Sequence, residues 1–181
     1  MSHEEPTTSF LPPLPYGASS VDRATRYDEV IAAIEAVLDG EDDWTAAMAT
    51  IACELSHAFA WWHWTGFYRA VSESLLIVGP YQGTLGCLRI DFARGVCGAA
   101  ARTRQTQLVP DVELFPGHIA CASSTRSEIV VPVIAPDGAL LAVFDVDSNH
   151  EAAFDALDQQ VLESLFRRVG AQFSHAAYRP H

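Results

Sequence analysis

The spacing of apolar residues changes character twice along this chain, and that alternation limits the fold more than any single motif does. Tyr27, Val30, Ile31, Ile34, Val37 and Leu38 recur every three or four residues, behind the capping candidates Ser19 and Ser20 and ahead of Asp39-Gly40. Such spacing predicts an amphipathic helix with a defined start and stop. A second helix is expected after Asp43, with Trp44, Met48, Ile51, Leu55 and Phe59 on its buried stripe. From Trp61 the texture turns aromatic and β-branched, interrupted by turn residues, which predicts strands over 62–70, 75–81, 87–91, 128–135 and 139–147. Pro136-Asp137-Gly138 joins the last two as a hairpin, since the Asp-Gly step suits positive φ. A short helix is expected over 95–104 and a long loop over 110–127, where neither periodicity holds. Helical spacing returns over 155–178 through Leu157, Val161, Leu165 and Val169. The order predicts an α+β fold, an antiparallel sheet flanked by helices.

Residues 1–18 carry Pro6, Pro12, Pro13 and Pro15 and read as an extended arm, whose Phe10, Leu11, Leu14 and Tyr16 can dock on a neighbour. Residues 19–181 are then one domain, large enough to bury a core of its own. The net charge of −12 comes from 23 acids against 11 bases, all of them Arg, which argues against a nucleic-acid partner. No basic segment leads into an apolar stretch and no apolar run is long enough to span a bilayer, so no membrane partner and a cytoplasmic location are expected.

The cysteines, Cys53, Cys87, Cys97 and Cys121, form no CxxC pair and are too sparse for a disulfide scaffold. Cys97 falls at a predicted helix start, where free backbone amides favour a thiolate, and Cys121 falls in the long loop; both are candidates for reactivity or, equally, small inert hydrophobes. Cys53 belongs to the second helix and reads as structural. Asp145 and Asp147 differ by two residues and share one strand face, so each raises the other's proton affinity, and Glu128 on the partner strand can join them. Trp61, Trp62 and Phe67 read as core, whereas Trp64 and Tyr68 share a strand face and can wall an apolar pocket that suits a methyl-bearing sulfur. His118 is a candidate base or, with the cysteines, a metal ligand, although no ligand quartet accompanies it.

Six ordered segments then carry a resemblance: Trp64-Thr-Gly-Phe-Tyr68, Gly79-Pro-Tyr-Gln-Gly83, Arg94-Gly-Val-Cys-Gly98, Gly117-His-Ile-Ala-Cys121, Ser127-Glu-Ile-Val130 and Asp145-Val-Asp-Ser148. Together they resemble the free methionine-R-sulfoxide reductases, stand-alone enzymes of GAF fold. The resemblance implies that Cys121 is the catalytic cysteine and that Cys87 and Cys97 are resolving thiols. It further implies that Glu128, Asp145 and Asp147 bind substrate, and that Trp64 and Tyr68 line its pocket. By the same resemblance the substrate is free methionine sulfoxide, no metal or cofactor takes part, thioredoxin is the reductant and the protein is a homodimer. The chain departs from the pattern in its longer arm, in His63 where an amide is common, and in Cys53. A catalytically silent GAF sensor of small molecules or redox state is the competing expectation.

Overall fold

The structure, a computed structural model, describes residues 11–117 and 124–179. Helices α1 (Ser20–Val37) and α2 (Trp44–Ala58) come first, followed by strands β1 (Trp64–Ala70), β2 (Leu75–Gln82) and β3 (Arg89–Asp91). Helix α3 (Gly95–Thr103), β4 (Gln107–Val109), β5 (Ser127–Ile134), β6 (Leu140–Ser148) and α4 (Ala156–Gln172) complete the order. The helix starts are fixed locally: Ser19 Oγ accepts from Asp22 N at 3.1 Å and Asp43 Oδ1 from Ala46 N at 2.8 Å, while Asp155 and Asp158 close a capping box on α4.

One six-stranded sheet runs in the order β3-β2-β1-β6-β5-β4, with every pairing antiparallel. The β5–β6 hairpin closes as expected, with Gly138 at φ 89° and Gly138 N donating to Ala135 O at 2.9 Å. Six strands replace the expected five because β4, three residues long, pairs with β5 inside a stretch too short to show alternation. The third strand starts at Arg89 rather than Cys87; Leu85 and Leu88 face solvent, so this stretch forms the loop between β2 and β3. The first strand starts at Trp64, the residues before it being a turn closed by Trp62 N to Phe59 O at 3.2 Å. Helix α4 ends at Gln172 and a 3-10 turn takes over at Ser174–Ala176, six residues before the chain's last tyrosine would have ended the expected helix.

The sheet separates two apolar layers. On one face α1, α2 and α4 cover the larger layer, which contains Trp61, Trp62 and Phe67 as expected. Phe67, Phe144 and Phe166 meet there with centroids 4.7–5.8 Å apart, joining β1, β6 and α4; truncating one such ring costs about 3–5 kcal/mol. Asp158, fully buried on α4, accepts from Arg23 Nη1 at 2.7 Å and from Tyr27 Oη at 2.7 Å, and Arg23 also pairs with Asp155, so α1 is tied to α4 through one carboxylate. The other face carries a smaller layer covered by α3.

Two strips of backbone close the structure at the end of the sheet where β1 and β5 begin. Leu14 of the arm makes a parallel bridge to Phe59, and Tyr16 stacks on His150 with centroids 3.8 Å apart. The arm therefore docks on its own domain over residues 12–16, with Arg26 Nη1 holding the Pro12 carbonyl at 2.9 Å.

Candidate functional site

Strand alternation decides which side chains meet under α3. Along β1 the odd-numbered Thr65 and Phe67 turn to the larger layer, so Trp64 and Tyr68 turn to the smaller one. The register sets Trp64 opposite Asp147 and Gly66 opposite Asp145 across β1–β6, and Glu128 opposite Asp147 across β5–β6. Two aromatics and three carboxyls are thereby delivered to one face by period-2 geometry alone. Helix α3 lies above and contributes Cys97.

The contacts are close. Cys97 Sγ donates to Asp145 Oδ2 at 3.2 Å and stands 3.9 Å from Glu128 Oε1, while Glu128 and Asp145 are hydrogen-bonded to each other. Glu128 and Asp145 are both buried, whereas Asp147 sits at the rim. Asp145 Oδ1 is buried without any hydrogen-bond partner, a costly condition for a carboxylate oxygen unless a ligand is to meet it. Burial pushes the Asp145 carboxyl up to about 6, held from going further by hydrogen bonds with Cys97 and Glu128. Burial, reinforced by the charge of Asp145 and then of Asp147, drives Glu128 well above the carboxylate range, and burial beside Asp145 does the same for Asp147. The cluster therefore retains protons at neutrality.

Cys97 has a second environment besides its helix start. The helix start is present, but burial, Asp145 and Glu128 drive its proton affinity well above that of an ordinary thiol. Negative charge next to a thiol opposes the thiolate, and in this arrangement the Cys97 thiol is the donor to Asp145. Cys97 Sγ and one oxygen each of Glu128 and Asp145 lie within 4.8 Å of one another, the one group among the described residues with donors spaced for a metal ion. Cys53 sits on α2 with its Sγ 3.7 Å from His57 Nδ1, while Cys87, packed against the same apolar layer as Cys97, is disulfide-bonded. Cys121 and His118 lie outside the described residues.

The opposite wall is aromatic. Trp64 stacks with Tyr68 at 5.5 Å and with Tyr81 at 5.2 Å, with interplanar angles of 17° and 16°. Tyr81 escaped the reading of β1 alone; its signal was its place in the segment Gly79–Gly83. Gly66 makes the stack possible, because a Cβ there would fall 2.2 Å from Tyr81 Cβ. Trp64 Nε1 donates to the Thr84 carbonyl at 3.1 Å, and a Cβ on Gly86 would come within 2.9 Å of Tyr68 Oη and 3.1 Å of Trp64 Cζ2. The loop bearing Cys87 is thus packed directly onto the pocket wall. At the other side Gly95 N, opening α3, donates to Gly117 O at 3.1 Å, so the loop that leads to Cys121 leaves from the α3 start. The backbone of His63 donates to Asp147 O at 3.0 Å, while burial keeps its imidazole neutral. No helix among the described residues is long and apolar enough to cross a membrane.

Residues 28–171 match the GAF domain family. The free methionine-R-sulfoxide reductase of Saccharomyces cerevisiae is 39% identical over 158 residues, covering 84% of this chain and 88% of that protein. The protein of the same name from Escherichia coli is 34% identical over 144 residues, covering 80% and 86%. Among solved structures, the free methionine-R-sulfoxide reductase of Neisseria meningitidis in complex with its substrate superposes with a TM-score of 0.81 at 42% identity, over 92% of this chain and 98% of that one. A buried acid cluster facing an aromatic wall, within a GAF fold matched over most of its length, places this chain in the family of the free methionine-R-sulfoxide reductases.

Proposed function

We propose that the protein reduces free methionine-R-sulfoxide to methionine, with Cys121 as nucleophile. The observation that carries the reading is the unpartnered Asp145 Oδ1, buried beside a protonated Glu128 on the sheet face that also carries Trp64. Asp145 receives the substrate ammonium, a charge that a methionine residue inside a peptide lacks. Trp64, Tyr68 and Tyr81 hold the S-methyl group, where sulfur and ring edges attract.

A sulfoxide oxygen departs only once protonated, and Glu128 supplies the proton. The Cys121 thiolate attacks the sulfur, the S–O bond breaks as the protonated oxygen passes to Cys121 Sγ, and methionine leaves with the electron pair on its sulfur while Cys121 is left as a sulfenic acid. Cys87 then attacks that sulfur, expelling water and closing a disulfide. The disulfide-bonded state of Cys87, with Cys53 and Cys97 free, supports Cys87 as the resolving thiol, while Cys97 remains a thiol that holds Asp145 partly ionised. Thioredoxin restores the dithiol by exchange. The protein acts as a cytoplasmic homodimer and needs neither metal nor cofactor.

The test mixes purified protein with racemic free methionine sulfoxide and dithiothreitol and follows each stereoisomer. The R form should disappear selectively, Cys121→Ser should be inactive and Cys53→Ser active. Binding without turnover would instead identify a silent sensor, and the reverse pattern of cysteine variants a different nucleophile.

A further inference from the structure

We infer that Leu85 and Leu88, on the loop between β2 and β3, form the docking surface for a protein dithiol that reduces the Cys87 disulfide. The inference rests on the thiol cycle proposed above and adds the place where its reductant binds. Among the described residues, Leu85, Leu114 and Leu88 are the most exposed large hydrophobics, at 84%, 79% and 73%. A single exposed leucine means little. Here Leu85 and Leu88 lie on one loop, within two residues of Cys87, which is half-buried and disulfide-bonded.

The occupant follows from the chemistry of exchange. A thiolate must reach a disulfide sulfur along the S–S axis, so its carrier has to lie against the side chains flanking that sulfur. Cys87 itself packs on the smaller apolar layer, and Gly86 is pressed onto Tyr68 and Trp64, so the inner side of the loop is closed by protein. Leu85 and Leu88 are the exposed large side chains beside Cys87. A protein dithiol with an apolar rim around its reactive cysteine gains by covering these two side chains, whereas a small dithiol gains nothing from them. In the step itself the partner's thiolate attacks Cys87 Sγ, the S–S bond breaks, and the departing thiolate takes up a proton. The partner's second thiol then attacks the mixed disulfide, so that the partner leaves oxidised and this chain leaves as the dithiol.

The full-length Leu85→Ser/Leu88→Ser variant is compared with wild type in two assays, one driven by thioredoxin with its reductase and NADPH, the other by dithiothreitol. Val21→Ser/Val37→Ser, which removes comparably exposed side chains from α1, is the control. The expected result is a rise of about tenfold or more in KM for thioredoxin, as for removal of apolar anchors at an interface, with the dithiothreitol rate unchanged and the control normal. An unchanged KM, an equal loss with both reductants, or the same loss in the control would each overturn the assignment. A thioredoxin lacking its second cysteine is also offered to the oxidised protein without methionine sulfoxide. Mixed disulfide at Cys87 that depends on the leucines supports the surface even if turnover is absent, which would sink only the proposed reaction; capture independent of the leucines sinks the surface alone.

Discussion

Replacing Asp145 with asparagine should make the empty protein more stable while it removes activity. Asp145 is carried from its ordinary value of 3.8 to about 6 in the folded state, chiefly by burial. Roughly two pH units at about 1.4 kcal/mol each means that keeping this carboxylate charged costs the fold about 3 kcal/mol above pH 6. The sign follows from the upward direction: the folded state binds the proton more tightly, so the group favours folding below its unfolded value and that contribution is lost as pH rises through 6. Asparagine removes the charge, and with it up to about 3 kcal/mol of penalty, which is roughly 6–12 °C in Tm for a domain of this size. At pH 5 the wild-type carboxyl is largely protonated and recovers roughly half of that penalty, so the advantage of the variant should shrink by about half. Thermal unfolding by circular dichroism at pH 8 and pH 5 reads both numbers, and KM for methionine sulfoxide should rise about tenfold to a hundredfold with the charged hydrogen bond gone. A variant that is less stable at pH 8, or equally stabilised at both pH values, would refute the claim that the fold bears an uncompensated charge for the sake of its ligand.

Glu128→Gln keeps the shape and removes the proton, so kcat with dithiothreitol should fall about 10²- to 10⁴-fold with a much smaller change in KM; full retention of kcat would move the acid role to Asp147. Asp158→Ala leaves the Arg23 guanidinium and the Tyr27 hydroxyl without their shared buried acceptor, and urea unfolding should show a loss of about 3–5 kcal/mol. A loss below about 1 kcal/mol would mean that the network is freely hydrated.

Much of this architecture is readable from residue order because its strongest elements announce themselves locally. The α1 and α2 stripes, their caps at Ser19 and Asp43, and the Asp137-Gly138 turn depend on neighbours a few residues away. The pairing of Glu128 with Asp145 and Asp147 was also within reach, since period-2 alternation and one hairpin register suffice to bring the carboxyls together. What escaped depends on distant contacts. Strand β4 exists only because β5 offers it an edge. Cys97 is read as a potential thiolate when only its helix is considered; the carboxyls that hold it protonated come from 31 and 48 residues further along. Tyr81 joins the aromatic stack only because a bulge between Gly66 and Tyr68 realigns β1 against β2.

The indole of Trp64 hangs by its nitrogen from the Thr84 carbonyl, three residues before Cys87, and belongs to the same apolar layer as Cys97, the donor to Asp145. In the proposed thiol cycle, a ligand held against Trp64 and the opening or closing of the Cys87 sulfur bond would pull on the same ring. Linkage makes such a connection reciprocal: whatever preference an amino acid has for the dithiol state of the loop returns as resistance of that state to premature oxidation. Under the proposed cycle, the same ring would delay the disulfide while ligand is bound and ease the ligand's departure once the sulfurs have joined.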